Sequence, residues 1–379
     1  MENEIREAVV KFESLLRQQL ERQERMEQAA AEKDFAGMKT ITVGLIDGDG
    51  IGPIIMKQAE RVLEKLLADD IASGRVVLKK IEGLTIENRL ALGKAVPDEV
   101  LAAIRTCDVL LKGPTTTPKG GTLESANVTL RRELDLYANV RPVTVPEEGI
   151  DWIFFRENTE GEYALGSRGV ELPGKLSMDF KVTTDAGTRR IAKAAFDYAR
   201  ANGKKNVAIV TKANIMKKTD GMFSRIAHEV AAEYPEIEAD DWYIDIMTAN
   251  LVNPAVRSRF QVFLLPNLYG DIITDEAAQI QGGVGTAGSA NIGGQYAMFE
   301  AIHGSAPRKI EAGEGDYANP ASILKAAELM LRHIAMTDRA DRLNDALALC
   351  LEQEKRVVVT GHRDGATCAE FTDYLLEKL

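Results

Sequence analysis

Five short apolar runs, each closed by a turn or by polar residues, constrain this chain more than any other feature. They are ITVGLI from Ile41, VVLKKIEG from Val76, DVLLKGP from Asp108, NVAIVTKAN from Asn206 and FQVFLLPN from Phe260. The first leads into the glycine-rich turn Gly48-Asp49-Gly50-Ile51-Gly52-Pro53 and then into IIMKQAERVLEKLL, whose apolar residues recur at helical spacing. Continuous apolar strands alternating with helices build an α/β sheet buried on both faces. In such sheets functional groups gather in the loops beyond the strand ends, so the residues after each run are the first to inspect.

At 379 residues the chain exceeds what one hydrophobic core usually fills, which argues for two domains. Its 58 acidic and 47 basic residues leave a net charge of −11, which repels nucleic acid and anionic lipid and makes neither an expected partner. Cys107, Cys350 and Cys368 are far apart and show no C-x-x-C spacing, so neither a disulfide framework nor a zinc site is expected. No apolar leader and no membrane-length apolar run is present, and the reading is a cytoplasmic protein. Near the start, Ile5, Val9, Phe12, Leu16 and Leu20 recur every three or four residues and predict an amphipathic helix, serving either its own domain or a subunit contact.

Several segments carry candidate chemistry. The glycines at 48, 50 and 52 follow a G-x-G-x-G pattern rather than G-x-G-x-x-G, so a nucleotide loop and a tight structural turn stay equally open. Ser125, Asn127 and Arg131 lie on one predicted helix, with Arg141 and Arg156 further on. Guanidinium groups suit bidentate binding of carboxylates, so this set reads as a polycarboxylate cradle. The competing reading pairs each arginine with Glu133, Asp135 or Glu157. Asp271 and Asp275 are four apart after a strand and a glycine, which puts two hard oxygen ligands for Mg²⁺ or Mn²⁺ on one helix face, unless one merely caps the helix. Asp245 is a third carboxylate that spacing alone does not place. Tyr163 and Lys212 can exchange protons if their surroundings shift their pKa values. His303, within EAIHGSAP, lies among small residues that let backbone approach a ligand.

In order along the chain, GDGIGP, KGPTTTP, LYANVRPV, FRENTEGEY, TKANIMK, NLYGDIITDEAAQIQGGVG and AIHGSAP resemble the metal-dependent β-decarboxylating dehydrogenases. That family comprises isocitrate, isopropylmalate, homoisocitrate and tartrate dehydrogenases, and the resemblance runs from about Lys39 onward. It implies a two-domain α/β fold with a large mixed sheet flanked by helices, distinct from the Rossmann fold. Residues 37–136 and 282–379 would form the large cofactor-binding domain and 137–281 the small one, with a dimer-contacting excursion between Gly161 and Asp185 and the site in the cleft. Residues 1–36 would be an extension outside this body.

The same resemblance assigns roles. Ser125 and Asn127 would receive the third carboxylate of isocitrate where isopropylmalate enzymes carry apolar residues, and Arg131, Arg141 and Arg156 would hold the others. Asp271 and Asp275, with Asp245 from a partner subunit, would bind Mg²⁺ or Mn²⁺. Lys212, also from the partner, would take the C2 hydroxyl proton as hydride leaves for the nicotinamide, and Tyr163 would protonate the enol left by CO₂, so a homodimer or higher homo-oligomer with shared sites is implied. Ile51, Thr117, Gly285, Glu300, His303, Gly304 and Asn319 would line the cofactor. NAD is favoured over NADP, because the tail VVVTGHRDGATCAEF lacks the tyrosine and arginine, four apart, of many NADP-using members. The alternatives are a homoisocitrate- or isopropylmalate-type enzyme, or a non-catalytic regulatory subunit. Retention of Tyr163, Lys212, Asp245, Asp271 and Asp275 favours an enzyme.

Overall fold

The computed structural model describes residues 2–27, 33–118, 123–166, 168–283 and 287–379. Its strands in chain order are β1 (Ile41–Ile46), β2 (Val76–Lys80), β3 (Val109–Lys112), β4 (Ala138–Val145), β5 (Ile150–Glu157), β6 (Val170–Leu172), β7 (Leu176–Met178), β8 (Asn206–Thr211), β9 (Glu238–Tyr243), β10 (Val262–Leu265), β11 (Gly288–Ile292) and β12 (Ala297–Ala301). All five apolar runs form strands. The fold is α/β, a mixed sheet flanked by helices. The chain divides into two compact units, Met1–Ala31 with Tyr137–Ile280, and Glu32–Leu136 with Gln281–Leu379.

In the first unit the strand order is β4-β5-β10-β8-β9, with β4 antiparallel to β5 and the others parallel. Its core centres on Trp152, Phe154 and Phe263, the two phenylalanine rings stacked 4.3 Å apart. Because β5, β8 and β10 run parallel, the residues that leave their carboxyl ends, Arg156 with Glu157, Lys212 and Asn267, emerge at the same end of the sheet. β6 and β7 form a small antiparallel hairpin within the 161–185 excursion.

The N-terminal stretch is helical over Glu2–Glu27, but its periodic apolar residues do not form a buried face. Ile5, Val9, Phe12, Leu16 and Leu20 are 46–59% exposed, and Leu15 is the buried one. Much of the docking is polar instead: Arg22 reaches Glu160 at 3.0 Å and Thr159 at 2.8 Å, and Lys11 donates to the Gly169 carbonyl. Phe12 contributes one ring contact, to Phe180. The Glu2–Glu27 helix therefore groups with the first unit.

In the second unit the order is β2-β1-β3-β12-β11, parallel except for the β11/β12 pair. The turn after β1 shows why its glycines are needed. A β-carbon on Gly48 would lie 2.2 Å from the Pro114 carbonyl oxygen and one on Gly50 2.0 Å from that of Ser305, and both residues have positive φ. The glycines pack against the protein's own backbone, which favours the structural-turn reading of that motif. Asp49 fixes the same region by accepting the amides of Ile86 and Thr116, each at 2.7 Å.

Candidate active site

The first unit assembles a compact cluster on the Asn267–Ile280 helix. Arg156, at the end of β5 and 1% exposed, donates Nε and Nη2 to Asn267 Oδ1 and Nη1 to Asp271. Gly270 lets this side chain lie across the helix, since a β-carbon there would come within 2.6 Å of Arg156. Arg141, on β4, donates Nη1 to Thr274 Oγ1 at 2.7 Å and to Asp275 at 3.1 Å. The Tyr163 hydroxyl donates to the second oxygen of Asp271 at 2.6 Å. Arg141, Arg156, Tyr163, Asp271 and Asp275 are thus brought together. Neither aspartate caps the helix N-terminus: both face basic side chains, one turn apart.

Lys212 and Asp245 form a separate pair at 2.6 Å, in which the lysine hydrogen bond holds the Asp245 carboxyl below its usual range. Among the described residues no three His, Cys, Asp or Glu side chains converge as a metal site, so Asp245 does not join Asp271 and Asp275 within this chain. Those two still suit a hard cation as a pair of oxygen donors, 40% and 65% exposed, with further ligands to come from elsewhere.

In the second unit Ser125 precedes the Ala126–Glu133 helix, and its side chain makes no capping hydrogen bond. Asn127 Oδ1 accepts the Thr115 hydroxyl at 3.2 Å, and Arg131 donates to Glu300 at 3.2 Å. Glu300, at the end of β12, also meets the fully buried Lys112 at 3.4 Å and the Asn291 amide at 2.9 Å. Burial pushes the Glu300 carboxyl up, but Lys112, Arg131 and Asn291 outweigh it and hold it below the ordinary range, while burial pulls the Lys112 ammonium down. The proposed cofactor residue Glu300 is therefore also the anchor of Arg131. Arg131 pairs with Glu300, Arg141 with Asp271 and Asp275, and Arg156 with Asp271.

The remaining cofactor candidates lie in the same unit. β1, β3 and β12 are parallel neighbours, and the loops at their carboxyl ends meet where Ile51 N–H donates to the Ser305 carbonyl and the Thr116 and Ser305 hydroxyls stand 2.7 Å apart. His303 is drawn below its usual pKa by burial, and its Nε2 is buried with no partner among the described residues. Gly304 beside it faces open space. Thr117 is exposed, Ile51 is buried at the start of the Gly52–Leu66 helix, and Asn319 accepts the Ala321 amide at 2.9 Å. Gly285 lies outside the described residues. An orphaned imidazole nitrogen beside an uncrowded glycine fits a nucleotide, since each can take a ligand without displacing protein atoms.

Sequence reasoning missed Lys112, Asn267 and Thr274. Lys112 had a signal, a lysine closing an otherwise apolar strand; the other two had only their place in NLYGDIITD.

Residues 42–375 match the family model described as isocitrate/isopropylmalate dehydrogenase. The chain belongs to that family. Within it, a probable NAD isocitrate dehydrogenase subunit alpha, mitochondrial, from Drosophila melanogaster is 36% identical over 93% of this chain and 90% of its own. An NADP isocitrate dehydrogenase from Rickettsia prowazekii is 41% identical over 84% of this chain and 64% of its own. The crystal structure of isocitrate dehydrogenase from Methylococcus capsulatus superposes with a TM-score of 0.78 at 35% identity, covering 89% of this chain and 99% of that one. No described helix is long and apolar enough to cross a membrane.

Proposed function

We propose that this family member oxidatively decarboxylates isocitrate to 2-oxoglutarate and CO₂ while reducing a nicotinamide dinucleotide. The observation that carries this reading is the convergence of Arg141, Arg156 and Tyr163 on Asp271 and Asp275, which joins carboxylate-binding, proton-donating and cation-binding groups in one cluster. Arg141 and Arg156 take substrate carboxylates, with Arg131 for another and Ser125 and Asn127 for the one that distinguishes isocitrate. Lys212 accepts the C2 hydroxyl proton as hydride passes to the nicotinamide, and the β-carboxylate then leaves as CO₂. Tyr163, already donating a hydrogen bond, protonates the resulting enol. Mg²⁺ or Mn²⁺ held by Asp271 and Asp275 would supply Lewis-acid polarisation of the substrate oxygens.

The separation of Asp245 and Lys212 from a three-acid cluster supports their delivery to a second copy, hence a homodimer with shared sites. The cofactor residues are Ile51, Thr117, Gly285, His303, Gly304 and Asn319, with Glu300 at their edge. NAD is the proposed cofactor. Lys309, which with Arg308 stands where NADP-using members place lysine and tyrosine, spends its ammonium on the Gly361 carbonyl instead of standing ready for a 2′-phosphate. Three buried, free cysteines suit a reducing compartment, with the cytoplasm as the expected location.

The test follows absorbance of the reduced nicotinamide with isocitrate and Mn²⁺, running NAD and NADP in parallel and isopropylmalate as control. Metal-dependent turnover of isocitrate is expected, faster with NAD. Turnover of isopropylmalate alone would overturn the roles of Ser125 and Asn127. Silence with both would favour a regulatory subunit, a reading kept open by relatives that are themselves named as subunits.

A further inference from the structure

Beneath the first unit's cluster lies an ion pair that the chemistry above does not use. Lys181, 5% exposed, stands 2.6 Å from Asp220, which is fully buried. A buried pair of this kind is weak evidence for stability, because desolvation offsets most of its attraction, so its contacts are the better guide to its purpose. Asp220 Oδ2 accepts the backbone N–H of Lys212 at 2.8 Å. The Lys181 ammonium lies 4.3 Å from the centre of the Tyr269 ring, two residues before Asp271, and 3.5 Å from the carboxylate of Glu162, the neighbour of Tyr163. One pair therefore touches the segments that carry the proposed base, the proposed acid and the first metal-type aspartate.

We infer that Lys181 and Asp220 are positioning residues that hold Lys212, Tyr163 and Asp271 in register, an inference that rests on the roles proposed for those three groups. None of the three is tied to the others by local sequence: they leave β8, β5 and β10 separately, and the buried pair is where their supports meet. Misplacing such groups by about an ångström can lower a rate on the order of a hundredfold without touching the chemistry itself.

The experiment uses the full-length enzyme with isocitrate and Mn²⁺, comparing wild type with Lys181→Met, Lys181→Arg and Asp220→Asn. Lys181→Met and Asp220→Asn are expected to lose about tenfold or more in kcat with KM for isocitrate within about threefold, and Lys181→Arg to recover most of the loss. A purely structural role would lower the yield or stability of folded enzyme, not kcat at nearly constant KM, and would not depend on restoring the cation with arginine. Folded variants with unchanged kcat, or a Lys181→Arg variant as slow as Lys181→Met, would overturn the inference. Hydrogen exchange on the wild type reads the same contact without any variant: the Lys212 amide should be protected although it lies just past the end of β8, and fast exchange there would sink the idea. A wild type that turns over no isocitrate defeats the proposed function itself, whereas an active wild type with indifferent variants defeats only this positioning role.

Discussion

The two units handle their acid–arginine contacts in opposite ways. In the first, Asp271 and Asp275 remain 40% and 65% exposed while pairing with Arg156 and Arg141. In the second, Glu300 is 6% exposed and locked between Lys112 and Arg131. Exposed carboxylates exchange one cation for another at little cost, because water covers them during the exchange. A buried carboxylate holding a buried lysine cannot release it without leaving a charge unpaired. The first arrangement is suited to a ligand that comes and goes, the second to fixing a side chain in place.

Substitutions on either side of this contrast should separate turnover from stability. Asp271→Asn is expected to lower kcat on the order of a hundred- to a thousandfold while costing less stability than a change at Glu300, because Arg156 keeps its two hydrogen bonds to Asn267, as steady-state kinetics and denaturation on one preparation would show. Glu300→Gln should register chiefly in stability, costing about 3 kcal/mol of unfolding free energy because Lys112 is left buried without its counter-charge, in addition to whatever turnover is lost through Arg131. If Glu300→Gln were thermodynamically neutral, the contrast would fail.

The second unit also largely buries a group that has no counter-charge among the described residues. His333 packs between Phe35 and Phe299, at ring distances of 5.1 and 5.5 Å, and burial pulls it down to about 4. Since the folded state resists protonation, this contribution to stability is complete above the unfolded pKa near 6.5 and is lost as pH falls toward 4. His333→Phe should therefore reduce the loss of unfolding free energy between pH 7 and 4.5 by about 2 kcal/mol. An unchanged pH slope would count against burial as the cause. The smallest effect is expected of Ser125→Leu, which should reduce kcat/KM for isocitrate about tenfold relative to malate, a shift in preference rather than a loss of activity. Equal losses on both substrates would remove Ser125 from the specificity role.

What could be read in advance was whatever repeats or lies close in sequence. The strands were legible because apolar runs report burial, and Asp271 with Asp275 because a four-residue step on a helix needs no tertiary information. Their partners were not. Arg156 reaches Asp271 across 115 positions and Lys112 reaches Glu300 across 188, and nothing local announces either contact. The N-terminal helix shows how far a period reaches: it marks the helix, while the apolar side stays largely exposed in this chain and arginine and lysine make much of the docking contact. The glycine turn was ambiguous for a related reason: the spacing reports a close approach but not whether the approaching group is a ligand or the protein's own carbonyl.

The order of strands in the second unit bears on how the protein is made. β12 pairs with β3, yet β12 begins at Ala297, long after β3 has left the ribosome. During synthesis the β2-β1-β3 half-sheet thus waits with β3 as an open edge, a template for pairing with the wrong chain, while the whole 137–280 segment of the first unit emerges and is free to fold. Truncation before β12 would leave that edge open permanently, so nascent or proteolysed fragments of this chain should be its aggregation-prone species, and chaperone demand should be set by the pause before the last strands rather than by the stability of the finished fold.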